Sequence, residues 1–137
     1  MAEKQSQPGK PTGMLHKVES RKRLSEVAQD LEAACQKYKF AIHDLKEEMK
    51  QKGIKFNLHC LVYEVSGPHQ GGEGSEANGE MSAALPCRVS VYRQGSGVTL
   101  VAIRPTAAVE MFRAPQLRSM AEEVEAVMLK IMHEAAV

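Results

Sequence analysis

Three features of the chain predict an α+β fold. Two long segments, near residues 24–38 and 117–131, repeat apolar residues at helical spacing; alternating strand patterns lie between them; and residues 89–103 carry a β-hairpin signature. A two-layer sandwich satisfies all of these apolar stripes at once: a single mixed or antiparallel sheet of four to five strands with helices packed on one face. The chain's 137 residues suffice for one core and would stretch thinly over two. Residues 1–13 are polar, carry two prolines and two glycines, and read as a flexible tail. Residues 14–137 are expected to form a single domain.

A weak strand pattern covers Met14 to Val18. The first strong element is a helix over Arg21 to Tyr38, in which Leu24, Val27, Ala28, Leu31, Ala34, Cys35 and Tyr38 make one stripe. Ser20 is the expected N-cap. Arg21, Lys22 and Arg23 then fall in the first turn, where the helix dipole disfavours cations; a solvated terminus screens this effect. A short strand is expected at Phe40–His43. Asp44 and Glu47 have the spacing of a capping box, so a helix of about two turns, Leu45 to Lys52, follows, closed by Gly53.

Lys55 to Val65 reads as the best strand. Phe56, Leu58, Cys60 and Val62 share one face, assigned to the core, whereas Asn57, His59, Leu61 and Tyr63 share the other. Ser66 to Ser82 is glycine-rich and acidic and reads as loop. It has no lysine or arginine and lacks the strand, lysine and helix context of a phosphate-binding loop. Leu85-Pro86-Cys87-Arg88 leads into Val89-Ser90-Val91-Tyr92, Gln94-Gly95-Ser96-Gly97 supplies a turn, and Val98 to Ile103 returns as the partner strand. Pro105 suits the first turn of a short helix through Met111. Pro115 opens the last helix, with Leu117, Met120, Ala121, Val124, Val127, Met128 and Ile131 on one face. Glu122, Glu123 and Glu125 lie near its start and Lys130 and His133 near its end, in keeping with the dipole.

Composition narrows the function. Lysine and arginine number 18 against 17 acids, a balance without the basic face that nucleic-acid binding needs. No apolar run is long enough to span a membrane, and no signal-peptide pattern opens the sequence. Three cysteines, Cys35, Cys60 and Cys87, cannot all pair within one chain and lack paired zinc-type spacing, so the expectation is a cytoplasmic protein without a structural metal site. Tryptophan is absent, and eight methionines help to fill an aliphatic core. Met120 and Met128 are assigned to that core, Met111 and Met132 to a contact between subunits.

Cys87 is the first candidate for chemistry. Pro86 fixes the backbone at a strand entrance, where a thiol could react, bind a metal or carry sulfur. Cys87 nevertheless shares its face with Val89 and Val91, which favours burial, and Arg88 points the other way. His59 and Cys60 lie on opposite faces of a strand and cannot jointly hold one ion. A site would pair Cys60 with Cys87, or His59 with His43 or His69. A non-covalent haem or other small-molecule pocket needs only one axial ligand and an apolar cavity, so the cofactor stays open.

The segments Leu61-Val62-Tyr63-Glu64-Val65-Ser66-Gly67-Pro68, Leu85-Pro86-Cys87-Arg88-Val89-Ser90-Val91-Tyr92 and Ile103-Arg104-Pro105, with the long final helix, resemble domain of unknown function 302. The resemblance covers residues 14–137 and implies a compact α/β sandwich that forms homodimers, with no accepted catalytic mechanism. This chain departs from the family pattern at Ser66 and Gly67 and in the glycine-rich stretch from Gly71. Three readings follow. The leading one is a homodimeric module that binds a small ligand or cofactor near Cys87, His59 and Cys60. The others are a thiol-dependent enzyme or sulfur carrier using Cys87, and a structural or interaction protein without a pocket.

Overall fold

A computed structural model describes residues 13–53, 60–67 and 87–137. Within them the chain forms β1 (Leu15–Ser20), α1 (Leu24–Lys37), β2 (Ala41–Asp44), α2 (Leu45–Gln51), β3 (Cys60–Ser66), β4 (Cys87–Gln94), β5 (Gly97–Ile103), α3 (Pro105–Met111), a 3-10 turn (Pro115–Leu117) and α4 (Arg118–Ala136). The five strands make one sheet in the order β1-β5-β4-β3-β2, with every neighbouring pair antiparallel. The glycine-rich stretch, the predicted strand before Cys60, His59, His69 and the Leu85-Pro86 pair lie outside the described residues.

Period-2 alternation decides which side chains enter the core. On β4 Cys87, Val89 and Val91 point one way, and their antiparallel partners Val65, Tyr63 and Leu61 point with them. On β5 Val98, Leu100 and Ala102 continue that face, and on β1 Val18 and Ser20 complete it. Helices α1 and α4 lie side by side over it. Leu31, Val27 and Cys35 from α1 meet Ile131, Met132, Met128 and Val124 from α4 among the valines of the sheet. A smaller cluster of Ala108, Val109, Ala114, Leu117 and Ala121 joins α3 to the start of α4.

Four expectations are corrected. Strand β3 buries the opposite parity from the one assigned: Tyr63 and Val65 are buried, while Cys60 and Val62 turn to the other face. Both parities of this strand carry apolar residues, so pairing with β4, and not alternation alone, settles the choice. Ser20 ends β1 and caps nothing; its Oγ donates to the Ala136 carbonyl at 2.6 Å and accepts from the Lys22 N–H. Helix α1 therefore begins at Leu24, after Arg21–Arg23, and those cations never enter its first turn. Lys22 reaches the Asp30 carboxylate and the Val137 carbonyl, and Glu26 accepts from the Arg23 backbone N–H. Met132, assigned to a subunit contact, is 1% exposed because it sits within the stripe facing the sheet. Phe40, placed in a strand, instead closes α1.

The element ends follow local chemistry. At the end of α1 the Phe40 N–H reaches the Cys35 carbonyl at 2.8 Å and the Lys39 N–H reaches Gln36, a Schellman motif in which Lys39 holds φ 61°. Asp44 caps α2 by accepting from the Lys46 and Glu47 N–H groups, as its position predicts. The β4–β5 turn places Gly95 alone at positive φ, the pattern of a II′ hairpin turn. A Cβ on Gly97 would lie 2.9 Å from the Ser20 carbonyl oxygen, so glycine is required where β5 passes β1.

Candidate functional site

The sheet divides the candidate residues between two environments. Cys87 stands on the helix-covered face, 6% exposed, beside Val65 and Val89 in the main core. Cys60 stands on the opposite face, half-buried, across from Tyr92. The two thiols are thus separated by the thickness of the sheet and by the length of β3, so one ligand cannot bridge them. His59 lies outside the described residues. Among the described residues no group of three or more His, Cys, Asp or Glu side chains can hold a metal ion. None of the three cysteines forms a disulfide. Burial, reinforced by Glu32, pushes the Cys35 thiol up to about 11, which makes it a core residue rather than a nucleophile.

A polar constellation that the sequence reading missed lies at the β1 edge of the core. Glu125 of α4 is 9% exposed. Its Oε1 accepts from the Thr106 hydroxyl at 2.7 Å and the Thr106 N–H at 3.1 Å, and its Oε2 faces Arg104 Nε at 3.4 Å. Arg104 also donates to Thr106 Oγ1 and to the Gly13 carbonyl, and its own N–H meets the Met14 carbonyl at 2.8 Å. One guanidinium therefore ties the start of β1, the end of β5, the first turn of α3 and the middle of α4 together. His16, across the β1–β5 ladder from Ala102, sits beside this clasp. Burial holds its imidazole below the ordinary value, Glu125 opposes that shift, and Arg104 and His133 reinforce it. The sequence did contain a signal. Glu125 falls four residues after Ala121 and three before Met128, within the apolar stripe, and a carboxylate there needs a partner.

A second polar group bridges the two long helices at the surface. Glu134 of α4 accepts from the Tyr38 hydroxyl and from Lys37 Nζ at 3.0 Å. Those two contacts hold its carboxyl below the usual range and raise both partners. All its members are engaged with one another, which suits fastening α1 to α4.

The face of the sheet opposite α1 and α4 has another character. Its cross-strand rows are His43–Glu64–Arg88, then Val62–Ser90–Val101–Lys17, then Cys60–Tyr92–Thr99–Glu19. Leu15 and Ile103 pair directly across β1 and β5 on this side and are 45% and 52% exposed. An antiparallel sheet facing water normally turns polar residues outward. Here Leu15, Ile103, Val101, Val62 and Tyr92 interrupt that rule.

A five-stranded antiparallel sheet with two long helices on one side defines an α+β two-layer protein. The chain belongs to the family described as domain of unknown function DUF302, whose model matches residues 16–135. Its fold is similar to the crystal structure of an uncharacterized conserved DUF302 protein from Bacillus stearothermophilus. The TM-score is 0.72 at 21% sequence identity, over 92% of this chain and 100% of that one. A comparison with curated proteins finds no match. Among the described residues no helix is long and apolar enough to cross a membrane.

Proposed function

We propose that this DUF302 domain is a homodimeric ligand-binding module whose subunits meet through the face of the sheet opposite α1 and α4. The observation that carries the proposal is the exposed Leu15–Ile103 pair and the half-buried Val101, Val62 and Tyr92 beside it. Apolar residues contiguous on one surface favour a partner over water. Charges of both signs, Lys17 and Glu19 on β1 with Glu64 and Arg88 on β3 and β4, allow a two-fold copy to be paired rather than repelled. Five strands about 4.8 Å apart and about 20 Å long present roughly 500 Å² in projection. A standard-size interface uses about 800 Å² of accessible surface per partner, the same order.

Within this reading a small apolar ligand would sit at the rim of that face, near Cys60 and Tyr92. Cys87 would serve as a core residue, since its burial among valines argues against a thiol enzyme or sulfur carrier. Native mass spectrometry of freshly purified protein tests both halves. The expected species has twice the 15.1 kDa chain mass and retains a small adduct. A monomer at high concentration contradicts the dimer. A dimer with no adduct, and no absorbance beyond the protein band, contradicts ligand binding and supports a purely structural role.

A further inference from the structure

We propose that the open backbone edge of β1 pairs antiparallel with β1 of a second copy, in the one register that sets Lys17 against the other copy's Glu19. Strand β1 runs six residues without a break in register. The strand at the other end of the sheet, β2, has only four residues, and a short edge strand offers little to a partner. The Arg104 N–H donates to the Met14 carbonyl at 2.8 Å, one step beyond the Leu15–Ile103 pair. Bonded and unbonded pairs alternate along an antiparallel ladder. His16, Val18 and Ser20 therefore bond to β5, and Leu15, Lys17 and Glu19 turn their N–H and C=O groups to the open edge. Among the described residues no strand pairs with β1 on that side.

The side chains select the occupant. Lys17 and Glu19 are exposed on the face opposite α1 and α4, and among the described residues neither has an ionic partner. A copy related by a two-fold axis at Val18 sets Lys17 opposite Glu19 on both sides of the axis, with the outward backbone groups of each pair facing one another. An axis at Lys17 opposes lysine to lysine, and an axis at Glu19 opposes glutamate to glutamate; like charges directly opposite repel. A charged edge thus turns away other registers and accepts its own copy in one. Strand β1 stays seated throughout, because Val18 remains in the core beneath the helices. The contact is distinct from the face proposed above. It consists of backbone bonds and solvated ion pairs with little apolar area, so it is the weaker of the two and fills at higher concentration.

Amide exchange of the full chain, resolved by residue with NMR at about 50 μM and about 1 mM, tests the pairing. It separates the edge from the face, because packing through side chains adds no backbone bonds. The expected result is a rise of about twofold or more in protection of the Lys17 and Glu19 amides at the higher concentration, with His16 and Val18 unchanged. Lys17→Glu should abolish the rise, and Lys17→Glu combined with Glu19→Lys should restore it. If Lys17→Glu does not fold, Glu19→Lys, which sets like charges opposite one another, takes its place. No rise in the wild type, equal protection at both concentrations, a rise that survives the single substitution, or none in the exchanged pair overturns the proposal.

Discussion

Glu125→Ala strikes the contact that joins four elements. The substitution removes the acceptor for the Thr106 N–H and hydroxyl and the counter-charge of Arg104. Breaking a buried pair from one side costs about 3–5 kcal/mol, and hydrogen bonds to a charged group are worth about 1.5–3 kcal/mol. The discount here comes from partial access. The Glu125 side chain is 12% exposed and that of Arg104 21%, so water can re-solvate part of the guanidinium, which also keeps its Gly13 contact. The expected loss is roughly 2–4 kcal/mol. Glu125→Gln keeps the volume and an acceptor for Thr106 but gives up the charge, so its loss should be about 1–2 kcal/mol. Urea unfolding at one fixed protein concentration reads both. For Glu125→Ala the midpoint should fall by about 1–2 M with the slope unchanged. A loss under about 0.5 kcal/mol, in the range of ordinary surface substitutions, would refute the clasp as a structural tie.

Three further outcomes are expected. Lys39→Gly should stabilise the chain by about 0.5–1 kcal/mol in the same urea assay, since Lys39 holds a left-handed backbone at the end of α1 that glycine adopts without strain. Leu31→Ala, at a side chain with no exposure between α1, α4 and the sheet, should cost about 2–5 kcal/mol; a smaller loss would mean the two layers are not packed as described. Burial pushes the Tyr63 hydroxyl up to about 12 and the Cys35 thiol up to about 11, with carboxylates nearby adding to each shift. The folded state thus keeps protons that the unfolded chain releases from about pH 9 for the thiol and pH 10 for the phenol. That stability is fully present below these values and declines as pH rises toward 11 and 12. Thermal melts across the alkaline range should show it, and a Tyr63→Phe variant should lose less.

The order of elements was legible because each relied on local chemistry. Helical stripes at Leu24–Cys35 and Leu117–Ile131, the Asp44 cap, the Gly95 turn and Pro105 all lie where the sequence places them. What escaped were choices made between elements. Strand β3 is apolar on both parities, and only its register against Cys87, Val89 and Val91 picks the core side. Ser20 resembles a cap because its preference for one is local, yet its hydroxyl is taken by Ala136 at the far end of the chain. Glu125 looked like an acid placed for the helix dipole. Its actual partners, Thr106 and Arg104, lie across a turn that no local pattern links to it. Cys87 drew attention by position, and its environment follows from the alternation already visible at Val89 and Val91.

Sedimentation equilibrium of the wild type and Ile103→Glu bears most directly on the proposed role of the face opposite α1 and α4. Each dimer would carry two new carboxylates into the apolar contact, weakening association by about 3 kcal/mol or more, over a hundredfold in Kd. The wild type should sediment as a dimer and Ile103→Glu at the 15.1 kDa of a single chain, with an unchanged far-UV spectrum. Equal masses for the two proteins, whether monomeric or dimeric, would contradict the assignment of that face.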